Sequence, residues 1–233
     1  MDRALFFAAL RKRDSGVFGT SLSQKQVEGI DAVLNEAELR RTPLKWLAYM
    51  LATDYHETAH TMQPIAEYGK GKGRPYGKKG KYGQAQYGRG LVQLTWDYNY
   101  EKADAKLGLN GALLRNFDLA LQMPIAVKIM FDGMEHGWFT GKALPDFMSY
   151  EPMRKIINGM DRANLIAGYA VAFETALRGA GYGLWVQPKP VAPEPVKPIE
   201  TRPEVILPPV NPPAKMNWLK LIWTALSALF SRR

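Results

Sequence analysis

Between Val186 and Ala214 the chain places ten prolines in 29 residues, and this run decides how much of the sequence can share one core. Each proline fixes its own φ and lacks the amide hydrogen that helices and sheets need, so the run is expected to be an extended, semi-rigid spacer of polyproline II type. It divides the chain into a candidate domain over residues 1–185, a linker over 186–214 and a terminal segment over 215–233. The first piece has the usual size of one domain.

Its composition supports a core. Hydrophobic residues make up 46% of the chain and charged residues 23%, which excludes wholesale disorder. With no cysteine, a disulfide scaffold, a zinc-cysteine site, an iron-sulfur cluster and a thiol nucleophile are all excluded. The formal net charge of +9 favours a polyanionic partner, whether nucleic acid, anionic lipid or an anionic cell-wall polymer. The sign alone does not choose among them. Near the N-terminus an apolar run, Ala4 to Leu10, precedes Arg11, Lys12 and Arg13, the reverse of the order in a secretory signal, so no signal peptide is expected.

The terminal segment is the most apolar part of the chain. From Met216 to Phe230, Asn217, Lys220, Thr224 and Ser227, followed by Ser231, recur at three- and four-residue spacing and would form one polar stripe on a helix. Trp218, Leu221, Ile222, Trp223, Leu226, Leu229 and Phe230 occupy the rest. At about 1.5 Å per residue, Trp218 to Phe230 would reach only ~20 Å against a hydrocarbon core of about 30 Å. An amphipathic helix lying at an anionic membrane interface is therefore expected, with docking on the domain's own surface as the alternative.

Within the domain the apolar spacing is helical, and the expected fold class is all-α. Ser23 and Gln26 form a capping-box pattern ahead of Val27, Ile30, Leu34 and Ala37. A second helix is expected from Leu44 to about Thr61, stopped by Pro64, and a third from near Pro124. A fourth follows Asp161, with Leu165, Tyr169, Phe173, Ala176 and Leu177 inward and Gly179 at its end. The irregular stretch Gly69 to Gly90 holds eight glycines, seven basic residues and no acidic ones in 22 positions. A loop of that length in a compact domain is usually functional. It lacks the glycine-spaced lysine followed by Ser or Thr of a phosphate-binding loop, and its Tyr76, Tyr82 and Tyr87 could stack on sugars or bases.

Two chemistries compete for one short segment. His56-Glu57-Thr58-Ala59-His60 matches the pattern in which two histidines one helical turn apart hold zinc beside a glutamate base. The extended form would need a histidine where Ala66 stands, and the remaining histidine is His136. The other chemistry uses a pair of carboxylates. Glu57 lies on an apolar-flanked helix near Tyr55 and Trp46, surroundings expected to desolvate it and favour the protonated form that a general acid needs. Glu67 comes ten residues later, where the chain has left the helix, and carboxyls in unlike environments can divide the work of acid and base.

The segment Tyr87-Gly88-Arg89-Gly90-Leu91-Val92-Gln93-Leu94-Thr95-Trp96, followed by Asn99-Tyr100, resembles the signature of the family 19 glycoside hydrolases, which include chitinases and related phage endolysins. His56-Glu57-Thr58 is similar to that family's catalytic-acid segment, and Arg154 to Gly159 to its later Ile-Asn-Gly element, so the resemblance covers roughly residues 20 to 180. It implies a lysozyme-like helical domain with Glu57 as general acid and Glu67 as the base that activates water. It further implies that Thr95 helps place that water, that Gln93, Asn99 and Asn158 bind sugar, that Tyr87 and His56 belong to the binding site, and that the reaction inverts the anomeric centre. No cofactor and no metal are implied. The chain departs from plant members in lacking cysteine and in the short spacing between its two glutamates.

The basic charge, linker and Trp-rich terminal helix favour peptidoglycan over chitin as the glycan partner. They lead to the expectation of an endolysin, made in the bacterial cytoplasm and acting at the cell wall after release, monomeric and without a nucleic-acid partner. A chitinase acting on chitin oligomers, a zinc peptidase and a noncatalytic polyanion-binding protein are the alternatives.

Overall fold

The computed structural model describes residues 1–184, so the expected linker and terminal helix lie outside the described residues. Helices dominate the described part: α1 (Arg3–Leu10), α2 (Gln24–Arg40), α3 (Leu44–Glu57), α4 (Asp97–Lys106), α5 (Ala112–Arg115), α6 (Met123–Glu135) and α7 (Ala163–Gly179), joined by short 3-10 turns. The pairing of β1 (Ile65–Ala66) with β2 (Arg89–Gly90) is antiparallel and two residues long, Ile65 opposite Gly90 and Ala66 opposite Arg89. The all-α expectation holds. Among the described residues no helix is long and apolar enough to cross a membrane.

Local chemistry sets the helix limits. Ser23 caps α2 through the N–H of Gln26, while the Gln26 side chain accepts from the Ser23 N–H, the reciprocal capping box expected from the sequence. Ile30, Val33, Leu34 and Ala37 on the inner face of α2 are fully buried. α3 packs most extensively against α7, and α1 covers another side of α7 through Phe6, Phe7 and Leu10. Phe173, Ala176 and Leu177 of α7 face the core as expected, but Leu165 is exposed and Ile166 takes the inward position. The helix starts at Ala163 after a left-handed Arg162, which sets this rotation of the first turn.

α3 is shorter than expected. It ends at Glu57, because the Thr58 hydroxyl turns back onto the Asp54 carbonyl at 2.6 Å and Ala59 and His60 adopt positive φ. A close approach of two backbones sets the path beyond this turn. A Cβ on Gly29 of α2 would lie 1.7 Å from the Met62 carbonyl oxygen, so only glycine lets the chain after α3 lie against that helix. The turn delivers the chain to β1 and so to Glu67.

Candidate active site

One cleft of about 730 Å³ collects most of the residues singled out in the sequence. Glu57, Glu67, Gln93, Thr95, Asn99 and Asn158 all line it, together with Trp96, Tyr98 and Phe139. Glu57 is the last residue of α3, where the helix end presents it to the opening. Its Oε1 accepts from Arg154 Nη1 at 2.6 Å, and Arg154 also donates from Nε to the Asp161 carbonyl at 3.0 Å. The Arg154 side chain is only 4% exposed and that of Glu57 15%, so a buried guanidinium fixes one oxygen of a carboxyl at the cleft wall. Tyr55 does not provide that environment. Its ring stacks on His60 at 4.0 Å and its hydroxyl donates to Val17 O.

Glu67 is held independently. Its backbone N–H donates to Gly88 O at 2.8 Å, extending the β1–β2 pairing by one residue. Its Oε1 accepts from the Tyr76 hydroxyl at 3.0 Å and its Oε2 from Gly88 N–H at 3.2 Å. Burial, and then the neighbouring Glu67, raise the Tyr76 phenol above its ordinary range, which keeps it a donor. A Cβ on Gly88 would meet Gln93 Oε1 at 2.7 Å, so this glycine lets the Gln93 carboxamide pack beside the Glu67 anchor.

The amides have defined orientations. Gln93 Nε2 donates to the carbonyls of Ile65 and Gly90, and Thr95 Oγ1 donates to Gln93 O at 2.7 Å, leaving the threonine lone pairs as acceptors. Asn99 Nδ2 donates to Thr95 O at 2.9 Å, while its Oδ1 is buried without a hydrogen-bond partner. Gln93 and Trp96 both have positive φ, a conformation unfavourable for residues with a side chain, and it turns this segment along the cleft. Asn158 is exposed on the rim, its Oδ1 accepting from Gly159 N–H.

Other sequence expectations are corrected. Tyr87 is buried, with Arg89 3.6 Å from its ring centroid, and it does not line the cleft. Its role is to pack Arg89, whose Nε also pairs with Asp118 at 2.7 Å. His56 likewise is not among the lining residues, and its partial burial lowers its pKa. Tyr82 donates to Glu101 at 2.8 Å, outside the cleft. The aromatic surface comes instead from Trp96 and Tyr98, whose rings stack at 6.5 Å, with Tyr98 58% exposed. The zinc pattern loses its premise because α3 ends before His60, and the histidines do not share the helix face that the pattern requires. Asp132, Glu135 and His136 do place ligand atoms within 4.8 Å of one another. Arg40 already occupies that carboxylate pair, donating to Asp132 and, at 3.3 Å, to Glu135.

No family model matches the chain, and no curated protein matches it either. Among solved structures it is similar to a crystal structure of a chitinase C mutant, with 20% identity and a TM-score of 0.45 over 76% of this chain and 93% of that chain.

Proposed function

We propose that the protein is a glycosidase that hydrolyses β-1,4 bonds between N-acetylated amino sugars by inverting general acid–base catalysis. The observation that carries the reading is that Glu57 and Glu67 line one open cleft, each fixed by its own partners, beside an aromatic pair and three amides. Glu57, whose Oε1 stays on Arg154, takes a proton onto Oε2 for each turnover and gives it to the bridging oxygen as the bond from the anomeric carbon to that oxygen breaks. The bonding electrons stay on the leaving oxygen. Glu67 takes a proton from water as the water oxygen bonds to the anomeric carbon from the opposite face, with Thr95 Oγ1 accepting the other water hydrogen. Solvent then returns a proton to Glu57 and removes one from Glu67. Trp96 and Tyr98 offer faces for sugar rings, with Gln93, Asn99 and Asn158 along the same cleft as the sugar-binding amides.

The favoured polymer is peptidoglycan, with an endolysin's role at the bacterial wall after synthesis in the cytoplasm. The chain's net charge of +9 supports this choice over neutral chitin. The test is hydrolysis of purified peptidoglycan and of chitin oligomers, with products identified by mass spectrometry and the newly formed anomer followed by NMR. Glu57→Gln is expected to abolish release of soluble fragments while the circular dichroism stays helical. Full activity in that variant, or retention of anomeric configuration, would refute the assignment.

A further inference from the structure

The basic loop beside the cleft has a feature that general acid–base chemistry does not use. Lys70, Lys72, Arg74, Lys78 and Lys79 are all exposed, and among the described residues none of them makes an ion pair. Their neighbours behave differently: Lys81 pairs with Glu101 at 2.9 Å and Arg89 with Asp118. The nearby Asp97 carboxylate accepts from the Lys81 backbone N–H at 2.5 Å. One loop of ten residues therefore presents five exposed cations with solvent as their counter-charge.

The backbone holds them in a defined place. Successive turns donate Lys70 N–H to Glu67 O, Lys72 N–H to Gly69 O and Arg74 N–H to Gly71 O, each at 2.9 Å. Gly71 is buried with a φ of +68° and lies directly against Gly77: a Cβ on Gly77 would be 2.0 Å from Gly71 O. Gln86 N–H donates to Tyr76 O at 2.8 Å, and the Tyr76 hydroxyl closes the loop onto Glu67. The first turn of the loop thus starts at the proposed base itself. Lys155, exposed and free of ion pairs among the described residues, adds a further cation to the cleft lining.

We infer that this loop is a binding surface for acidic substituents carried by the glycan strand, so that the protein selects a carboxylate-bearing glycan over a neutral one. The inference rests on the glycosidase reading for the strand's path and extends it to the strand's charge. A neutral polymer would leave these cations uncompensated on the loop that borders the cleft through Glu67, Tyr76 and Gly88, whereas carboxylates projecting from a strand that runs on from the cleft would neutralise them.

The test is retention of the full-length protein on peptidoglycan sacculi, measured by co-sedimentation in the Glu57→Gln background so that the polymer is not consumed. It compares that protein with one also carrying K70Q, K72Q, R74Q, K78Q and K79Q, on untreated sacculi and on sacculi whose carboxyls have been amidated. The five-substitution protein is expected to bind untreated sacculi about tenfold more weakly at low salt. The two proteins should bind equally to amidated sacculi, and equally in about 1 M salt, where the screening length falls to ~3 Å. A companion with K70R, K72R, K78R and K79R should bind like the parent. Equal retention of parent and glutamine variant on untreated sacculi overturns the inference, as does a difference that survives amidation. A wild-type protein that hydrolyses peptidoglycan alongside equal retention would refute only this surface. Charge-dependent retention by a protein that hydrolyses no glycan would refute only the glycosidase reading.

Discussion

The pairing of Arg154 with Glu57 makes a quantitative prediction, because the two partners differ in their access to water. Arg154 is 4% exposed, so removing its carboxylate strands a charge with little solvent to replace the partner. Glu57→Ala should therefore cost about 3–5 kcal/mol, the range for breaking a buried pair by deleting one side. Glu57→Gln also leaves the guanidinium without a counter-charge but keeps an oxygen acceptor for Nη1, so it should cost less than Glu57→Ala by about one hydrogen bond, roughly 1 kcal/mol. Arg154→Met should fall between the two. It leaves Glu57 at the cleft wall, where water can enter, but also deprives the Asp161 carbonyl of its donor. Combining Glu57→Ala with Arg154→Met should cost less than the sum of the single changes by about 0.5–3 kcal/mol, since the stranded cation is gone.

The assay is urea unfolding followed by circular dichroism, with each kcal/mol also read as roughly 2–4 °C of Tm for a domain of this size. The ordering is the sensitive part. If Glu57→Ala proves no more destabilising than Glu57→Gln, or if the cycle is additive, the guanidinium does not hold the carboxyl and the positioning argument fails.

Three further outcomes are expected. Tyr76→Phe removes the hydroxyl that donates to Glu67 Oε1 and should lower kcat by about tenfold or more, the equivalent of one hydrogen bond to a carboxylate, with little change in KM. Equal kcat in steady-state hydrolysis would show that Glu67 needs no such anchor. Gly88→Ala brings a methyl within 2.7 Å of Gln93 Oε1 and should cost about 1–3 kcal/mol of stability while displacing the Gln93 amide, read by thermal melting and by a raised KM. Asp54 is fully buried, and its burial raises its carboxyl well above the ordinary range, opposed only by Thr58. The native state then holds a proton that the unfolded state releases, so stability should fall as pH rises from the unfolded carboxylate value of about 3.9 through the raised native value. Asp54→Asn should remove that slope in urea titrations across pH, and an unchanged slope would show that another group sets it.

The legible parts of the sequence were those where one local rule decides the outcome. The Ser23–Gln26 cap and the Ile30, Leu34 and Ala37 spacing needed only residues within two turns, and both are as expected. The end of α3 was not legible in this way, because Pro64 is the first breaker in the sequence while the Thr58 hydroxyl and the positive φ values at Ala59 and His60 stop the helix earlier. That difference matters, since it separates a histidine pair that looks metal-binding from a glutamate placed at a helix end beside a cleft. The Arg154–Glu57 pair spans 97 positions, and nothing local to either residue announces it. Tyr87 shows the converse. Its neighbours in sequence enter the cleft, but the alternation of the chain around β2 sends its ring under Arg89, and the exposed stacking surface falls to Tyr98 on the first turn of α4. Motif order could find which segments meet at the site, whereas the faces they turn toward it depend on φ values and buried charges that only the folded chain defines.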